Sequence, residues 1–302
     1  MTTLRPLALA AAVIGCAPEQ PPPDPRLAQT EVRAFVSADN GATWSLMAEP
    51  LAKGMDSLGL SIRDDGTWWV TALDHSEEPP WWEWYTGPRV RGLERTPDGT
   101  WSRRTWWVDT GDTRSVIDPQ WFGDELWFAS RPTAVSGDPA DVQDAVELRV
   151  APGGSVLYKV RGLADPSPVT FRGQRHIFIT QLGKGVVQLS GTPLQPQRTW
   201  GGVTVPYATV IDDEIWLLAQ VLQHGRRYPV LNRTSDGMAW TGWKPLVPMF
   251  DNGPNTCTSP VVGRAADQLI LLCVDERVAG GPGGPPPERQ GRHGGQVEGQ
   301  LN

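Results

Sequence analysis

The sequence predicts an all-β fold, a five-bladed β-propeller built from four-stranded antiparallel blades. Three observations carry that reading. A hairpin made of a short apolar run, a Gly/Asp turn and a run rich in Trp, Ile, Leu and Phe recurs five times, at a spacing of roughly 40–57 residues, where repeats signal propellers rather than sandwiches. The fifth repeat lacks its second half, whereas a lone hairpin over 31–47 has no partner before it. Pairing the two closes the ring and removes both exposed sheet edges. Nothing long enough with a helical period lies between the repeats.

The five inner hairpins pair 58–62 with 67–70, 119–122 with 125–128, 168–171 with 176–179, 208–211 with 214–218 and 260–262 with 268–272. Their turns fall at Asp65-Gly66, Gly123-Asp124, Gly173-Gln174, Asp212-Asp213 and Ala266-Asp267. A second, more polar hairpin follows each of the first four, over 90–108, 146–160, 185–200 and 228–243, so each unit has strands A to D. Cys257 and Cys273 lie at equal distance on either side of Ala265, near the last turn. Antiparallel pairing places them opposite one another, with Cβ atoms about 4.5–5.5 Å apart, close to disulfide reach. The alternative is two buried free thiols.

The turn of the lone hairpin is Ser37-Ala38-Asp39-Asn40-Gly41-Ala42-Thr43-Trp44. Asp39 can accept from the turn's own N–H groups, Gly41 can take positive φ, Thr43 starts the outgoing strand and Trp44 can lock the corner against a sheet. This spacing resembles the Asp-box of sialidase-like β-propellers. Shorter versions recur around Asp98, Gly99 and Trp101 and around Asp236, Gly237 and Trp240. All three fall on C–D turns, which leave a blade on the face opposite its D–A and B–C connections, so their expected role is structural.

Composition narrows the partners. The 302 residues carry a net charge of −7 and no basic run, which argues against nucleic acid. Fifteen Trp stand against six Phe and four Tyr, and indoles serve either as blade core or as sugar-stacking surfaces. The four His are scattered without metal-ligand spacing, and no phosphate-binding or cofactor motif is present, so neither a metal nor a cofactor is expected. A monomer is expected.

The N-terminus reads as an address. Arg5 precedes a short apolar run over 7–15, too short to span a bilayer as a mature helix. Val13-Ile14-Gly15-Cys16 resembles a bacterial lipobox, which implies cleavage before Cys16, lipidation of its thiol and contact with the membrane through that anchor only. The alternative is an ordinary signal peptide that contains a Cys. Ala17, rather than Asp, after the lipidated Cys points to the outer membrane. The expected organisation is a signal over 1–15, a Pro-rich spacer over 16–29, the propeller over 30–279 and a disordered Gly/Pro-rich tail over 280–302.

Candidate chemistry lies on the D–A/B–C face. The inner strands bring Asp56, Asp118, Asp165 and Tyr207 to the rim of the channel. The B–C loops add His75 and the aromatic run Trp81, Trp82, Trp84, Tyr85 from blade 1, Arg131 from blade 2 and Arg226 from blade 4. Asp118-Pro119 and Asp165-Pro166 resemble the strand starts of five-bladed arabinanase-like glycosidases, in which two Asp and one Glu act as base, acidity modulator and general acid. The resemblance implies such roles for Asp56, Asp118 and Asp165, although the third position is Asp here and Asp56 has no following Pro. The plainer alternative is that these Asp fix their own turns. The sialidase-like resemblance implies an arginine cluster and a Tyr–Glu nucleophile pair, and Arg114, Arg131 and Arg226 do not match that pattern. The expected function is therefore a surface module binding glycan or an envelope protein. The alternative is a glycoside hydrolase using the rim carboxylates.

Overall fold

The computed structural model describes residues 29–74, 89–110, 116–130, 146–223, 226–246 and 257–275. It is an all-β propeller of five antiparallel blades. The chain begins with β1 (Glu31–Ser37), β2 (Ser45–Leu46) and β3 (Ala52–Lys53). Blade 1 follows as β4 (Met55–Ile62), β5 (Trp68–Asp74), β6 (Arg89–Arg95) and β7 (Trp101–Trp107). Blade 2 is β8 (Ile117–Phe122), β9 (Glu125–Ser130), β10 (Glu147–Ala151) and β11 (Ser155–Lys159). Blade 3 is β12 (Leu163–Phe171), β13 (Gln174–Gln181), β14 (Gly185–Ser190) and β15 (Gln195–Trp200). Blade 4 is β16 (Val203–Ile211), β17 (Glu214–Gln223), β18 (Arg226–Thr234) and β19 (Lys244–Pro245). The fifth blade opens with β20 (Thr258–Ala265) and β21 (Gln268–Asp275).

Closure follows the sequence reading. β1 pairs with β21 in unbroken register from Glu31↔Asp275 to Ser37↔Leu269, so the N-terminal strand is the third strand of the last blade. Its outer edge is covered in two pieces, β2 at Phe35 and Val36 and β3 at Glu31 and Val32. Ring closure therefore needs both ends of the propeller, which makes Val32, Ala34, Val261 and Leu272 parts of one core. Cys257 and Cys273 form a disulfide with Cα atoms 5.3 Å apart. They are not directly opposed as the symmetric spacing predicts. The hairpin pairs Ala265 with Gln268, so its turn centres past position 266 rather than at 265; the extra residue between Thr258 and Val261 takes back one position, so Thr258 meets Val274 and Cys257 sits diagonally from Cys273.

Blade junctions combine apolar packing with ion pairs at the A–B turns. Trp69, Trp106 and Trp121 form a cluster between blades 1 and 2, with centroids 5.3–6.3 Å apart. Phe178, Trp200 and Trp240 do the same between blades 3 and 4. Arg63 reaches Asp124 at 2.6 Å, Arg172 reaches Asp213 at 2.8 Å and Arg264 reaches Asp212 at 2.7 Å, bridging junctions 1–2, 3–4 and 4–5. Arg175 lies 3.6 Å from Glu125 at junction 2–3. Junction 5–1 is instead a close apolar contact. A Cβ at Gly263 would lie 2.5 Å from Ile62 Cδ1 and 3.1 Å from Trp68, so a larger residue would displace the Ile62 side chain.

The C–D turns are built around their aspartates. Asp39 Oδ1 accepts from Ser37 Oγ at 2.7 Å and from the Thr43 N–H at 2.8 Å, and its Oδ2 accepts from Thr43 Oγ1 at 2.6 Å. Thr96 Oγ1 donates to Asp98 at 2.5 Å, and Thr234 Oγ1 donates to Asp236 at 2.9 Å. The Met238 and Ala239 N–H groups both donate to Asp236 Oδ1 at 2.7 Å. These bonds stabilise the charged form. The Thr43 hydroxyl and N–H hold Asp39 at about 2, and Asp98 and Asp236 are lowered for the same kind of reason. Among the described residues, no helix is long and apolar enough to cross a membrane.

Candidate functional site

Every inner strand begins with the same irregularity. Ser57-Leu58, Asp118-Pro119, Asp165-Pro166, Val205-Pro206 and Ser259-Pro260 each oppose a single residue of the neighbouring strand, namely Ala72, Phe128, Ile179, Ala219 and Cys273. The first residue of each pair is left-handed, with φ between 47° and 55°. This is a β-bulge, in which two residues share one ladder position and the local twist rises. Proline suits the second position in four blades because the bulge interrupts the ladder there and no N–H is needed. Left-handed φ costs an L-residue about 1–2 kcal/mol, least for Asp, so Asp118 and Asp165 suit it and Val205 does not.

The bulges also carry contacts from blade to blade. Thr180 Oγ1 accepts the Val205 N–H at 2.8 Å, Gln220 Oε1 accepts the Ser259 N–H at 3.4 Å, and Asp118 Oδ2 accepts the Asp165 N–H at 3.3 Å. Thr180 and Gln220 hold equivalent positions on their B strands, opposite Ala164 and Thr204. The matching position in blade 2 is Ala129, opposite Ile117. Alanine has no acceptor, and Asp118 takes that role from the inner strand. At junction 1–2, Thr71 Oγ1 donates to the Pro119 carbonyl and to Gly59 O.

This geometry revises the expected carboxylate triad. Asp118 and Asp165 are equivalent, half-buried and on adjacent blades. Asp56 is not their equivalent. The bulge places Ser57 at that position and turns Asp56 one residue back into the strand, where it is 5% exposed and its Oδ1 accepts from the Ser57 N–H at 2.6 Å. Asp118 is divided in its duties. Oδ2 holds the junction, while Oδ1 is buried and accepts no hydrogen bond. Ser130, at the end of β9, likewise has a buried hydroxyl without a hydrogen-bond partner.

Tyr207 also departs from expectation. It lies past the bulge rather than on the rim, is 4% exposed, and donates its hydroxyl to Leu60 O at 3.2 Å, joining blade 4 to blade 1. Burial pushes its phenol well above the usual range, so it stays protonated. Arg226 starts β18, paired with Gln223, at the same end of the blade as the Asp165 bulge, and only its backbone is described. His75, Trp81, Trp82, Trp84, Tyr85, Arg131 and Cys16 lie outside the described residues. His176 is buried within blade 3, with Nδ1 3.1 Å from Gln188 Nε2, and burial lowers its pKa. Among the described residues, no group of three or more His, Cys, Asp or Glu could hold a metal ion.

A narrow cleft lies over junction 1–2, lined by Ala72, Asp74, Arg89, Arg91, Val116 and Pro119 among others, with room for about 20 Å³ of solvent. Reasoning from sequence missed Trp107, which is 73% exposed at the end of β7 on the other side of blade 1. The available signal was the run Trp106-Trp107, since strand alternation cannot bury both indoles on one face.

No protein-family model matches the chain, and no curated protein matches it. Solved structures of similar fold include an α-L-arabinofuranosidase from Clostridium thermocellum, at 8% identity and TM-score 0.49, covering 72% of this chain and 81% of that one. An exo-1,5-α-L-arabinanase from a bovine ruminal metagenomic library shows 9% identity and TM-score 0.46, over 73% and 92%. An endo-arabinanase from Bacillus licheniformis shows 11% identity and TM-score 0.41, over 73% and 93%.

Proposed function

We propose that the chain is a carbohydrate-binding propeller whose blade 2–blade 3 rim offers Asp118 and Asp165 to sugar hydroxyls. The observation that carries this reading is Asp118 Oδ1, a buried carboxylate oxygen that accepts nothing. Buried acceptors are nearly always satisfied, and a turn of the half-buried Asp118 side chain toward the rim would let a sugar hydroxyl complete this one. The turns around Asp39, Asp98 and Asp236 we read as Asp-boxes, and Cys16 as the lipid anchor that holds the domain at the cell envelope, where a glycan or an envelope protein is the partner at hand.

A second reading, glycoside hydrolysis, is favoured by one observation. Asp118 and Asp165 hold equivalent positions on adjacent blades, joined through the Asp165 N–H, and glycosidic cleavage uses a pair of carboxyl groups across the scissile bond. Against it, the third carboxylate of the expected set, Asp56, is turned into its own strand.

One experiment separates the two. The full-length protein is screened for binding to arabinan, galactan and xylan oligosaccharides by calorimetry, and the same mixtures are assayed for released reducing ends. Binding without release, abolished in Asp118→Asn and Asp165→Asn, supports the binding module. Release lost in both variants moves the protein to the hydrolases. Neither binding nor release on any glycan rejects both readings.

A further inference from the structure

A second surface, on the opposite side of blade 1 from junction 1–2, has features that the blade 2–blade 3 rim does not explain. Trp107 is the one exposed Trp among the described residues. It pairs across the ladder with Arg89, whose Cζ lies 5.9 Å from the indole centroid. Strand alternation puts Trp101, Arg103 and Trp107 on the same side of β7. That side faces the closing blade. Trp101 packs edge-on against buried Trp68 at 6.2 Å, whereas Trp106 points the other way into the cluster with Trp121. Arg103 reaches Asp74 Oδ2 at 2.5 Å and donates to the Lys53 carbonyl at 2.6 Å, which ties β7 to β3.

The charges here are sorted by depth. The side chains of Asp74 and Glu31 are 5% and 9% exposed, while those of Arg103 and Lys53 are 43% and 66% exposed, with Lys53 3.3 Å from Glu31. The carboxylates thus lie beneath and the cations lie outside, next to an indole face. In a chain of net charge −7, the described residues place cations around an exposed indole at this junction. An indole with its face open beside cations is the kind of side chain that anchors a contact.

We infer that this strip binds an anionic polysaccharide, one that carries a carboxylate on its sugar rings. The ring stacks its C–H face on Trp107, and the carboxylates meet Arg89, Arg103 and Lys53. Arg103 and Trp107 are four residues apart on one strand, about 13 Å at the usual rise, so the indole and the far cations contact different sugars of an extended chain. This inference does not depend on Asp118 or Asp165.

The test uses the full-length protein with polygalacturonate as probe, neutral galactan as control and an oligo-dT strand as the competing class of polyanion, read by affinity electrophoresis and calorimetry. In the Asp118→Asn/Asp165→Asn double variant, which removes binding at the rim, retention by polygalacturonate but not galactan is expected, weakening as salt rises. Trp107→Ala is expected to weaken binding about tenfold, with Trp107→Phe retaining most of it. Both variants keep the wild-type melting profile, because the ring is exposed. Equal retention of that double variant on galactan, tighter binding of oligo-dT, or unchanged affinity when Trp107→Ala is added overturns the inference.

Discussion

Asp118 Oδ2 accepts the backbone N–H of Asp165 at 3.3 Å across the blade 2–blade 3 junction, doing there what Thr180 does for Val205 and Gln220 for Ser259. The carboxylate is thus part of the frame before it is part of any site. Its two roles separate by substitution. Asp118→Asn keeps an amide oxygen that can accept the same N–H, and its stability is expected within about 0.5 kcal/mol of wild type. Asp118→Ala leaves the Asp165 N–H without its acceptor and is expected to cost about 1–2 kcal/mol. Both variants lose glycan binding at the rim. Denaturant melts with parallel calorimetry check this, and a stable Asp118→Ala protein would show that the contact contributes nothing to the frame.

Thr180 tests the same device where no carboxylate is involved. The residue is 3% exposed, and its hydroxyl is the acceptor for a left-handed valine. Thr180→Val keeps the shape and removes the oxygen. The orphaned N–H is expected to cost about 1–3 kcal/mol, a lowered denaturation midpoint at unchanged slope. Thr180→Ser, which retains the hydroxyl, is expected to recover most of that loss.

The hairpins, their turns and the closure by β1 were legible because each rests on local chemistry: period-two apolar runs, Gly/Asp turns and a half-repeat at either end. The register of the inner strands was not. Asp56 reads as a third rim carboxylate when aligned by residue type, yet the bulge puts Ser57 in that place. The prolines held the missing information. Pro119, Pro166, Pro206 and Pro260 mark the second bulge residue in four blades, and aligning on them sets Leu58 as the fifth and moves Asp56 one step inward. The same alignment puts Tyr207 just after the bulge, where side chains pack between blades. The run Trp106-Trp107 marks two indoles on opposite faces of one strand, but which of them is left exposed depends on the face the neighbouring blade covers, and no local pattern encodes that.

The turn at Asp39 makes stability acid-sensitive in a definite window. The Thr43 hydroxyl and N–H, with Ser37, hold the carboxyl at about 2, below its ordinary 3.8. A group lowered on folding contributes stability above its unfolded value and loses that contribution as pH falls through the folded one. The contribution of this turn is therefore intact above about pH 4 and is gone near pH 2. Thr43→Ala removes the largest cause, and the Asp39 carboxyl is expected to titrate closer to its ordinary value by carbon-detected NMR. An unmoved titration would assign the depression to the N–H of residue 43 and to Ser37 instead.

His176 sets the opposite limit, nearer neutrality. Its ring is buried, 5% exposed, beneath the turn at Gly237, whose Cβ position would lie 3.6 Å from Cε1 and Nε2. The Gln188 amide donates to Nδ1, so the neutral ring carries its proton on Nε2. Burial lowers the folded pKa below the ordinary 6.5, which means the unfolded chain binds the extra proton first. Stability is then complete above about pH 6.5 and declines as pH falls toward the lowered value, where it levels off. The decline is felt at the blade 3–blade 4 junction, because protonation would charge a ring enclosed by Phe171 and the Asp236–Gly237 turn. His176→Gln cannot titrate, and its denaturation midpoint is expected to stay flat between pH 7.5 and pH 5 while that of the wild type falls. Parallel slopes for the two proteins would place the acid sensitivity elsewhere.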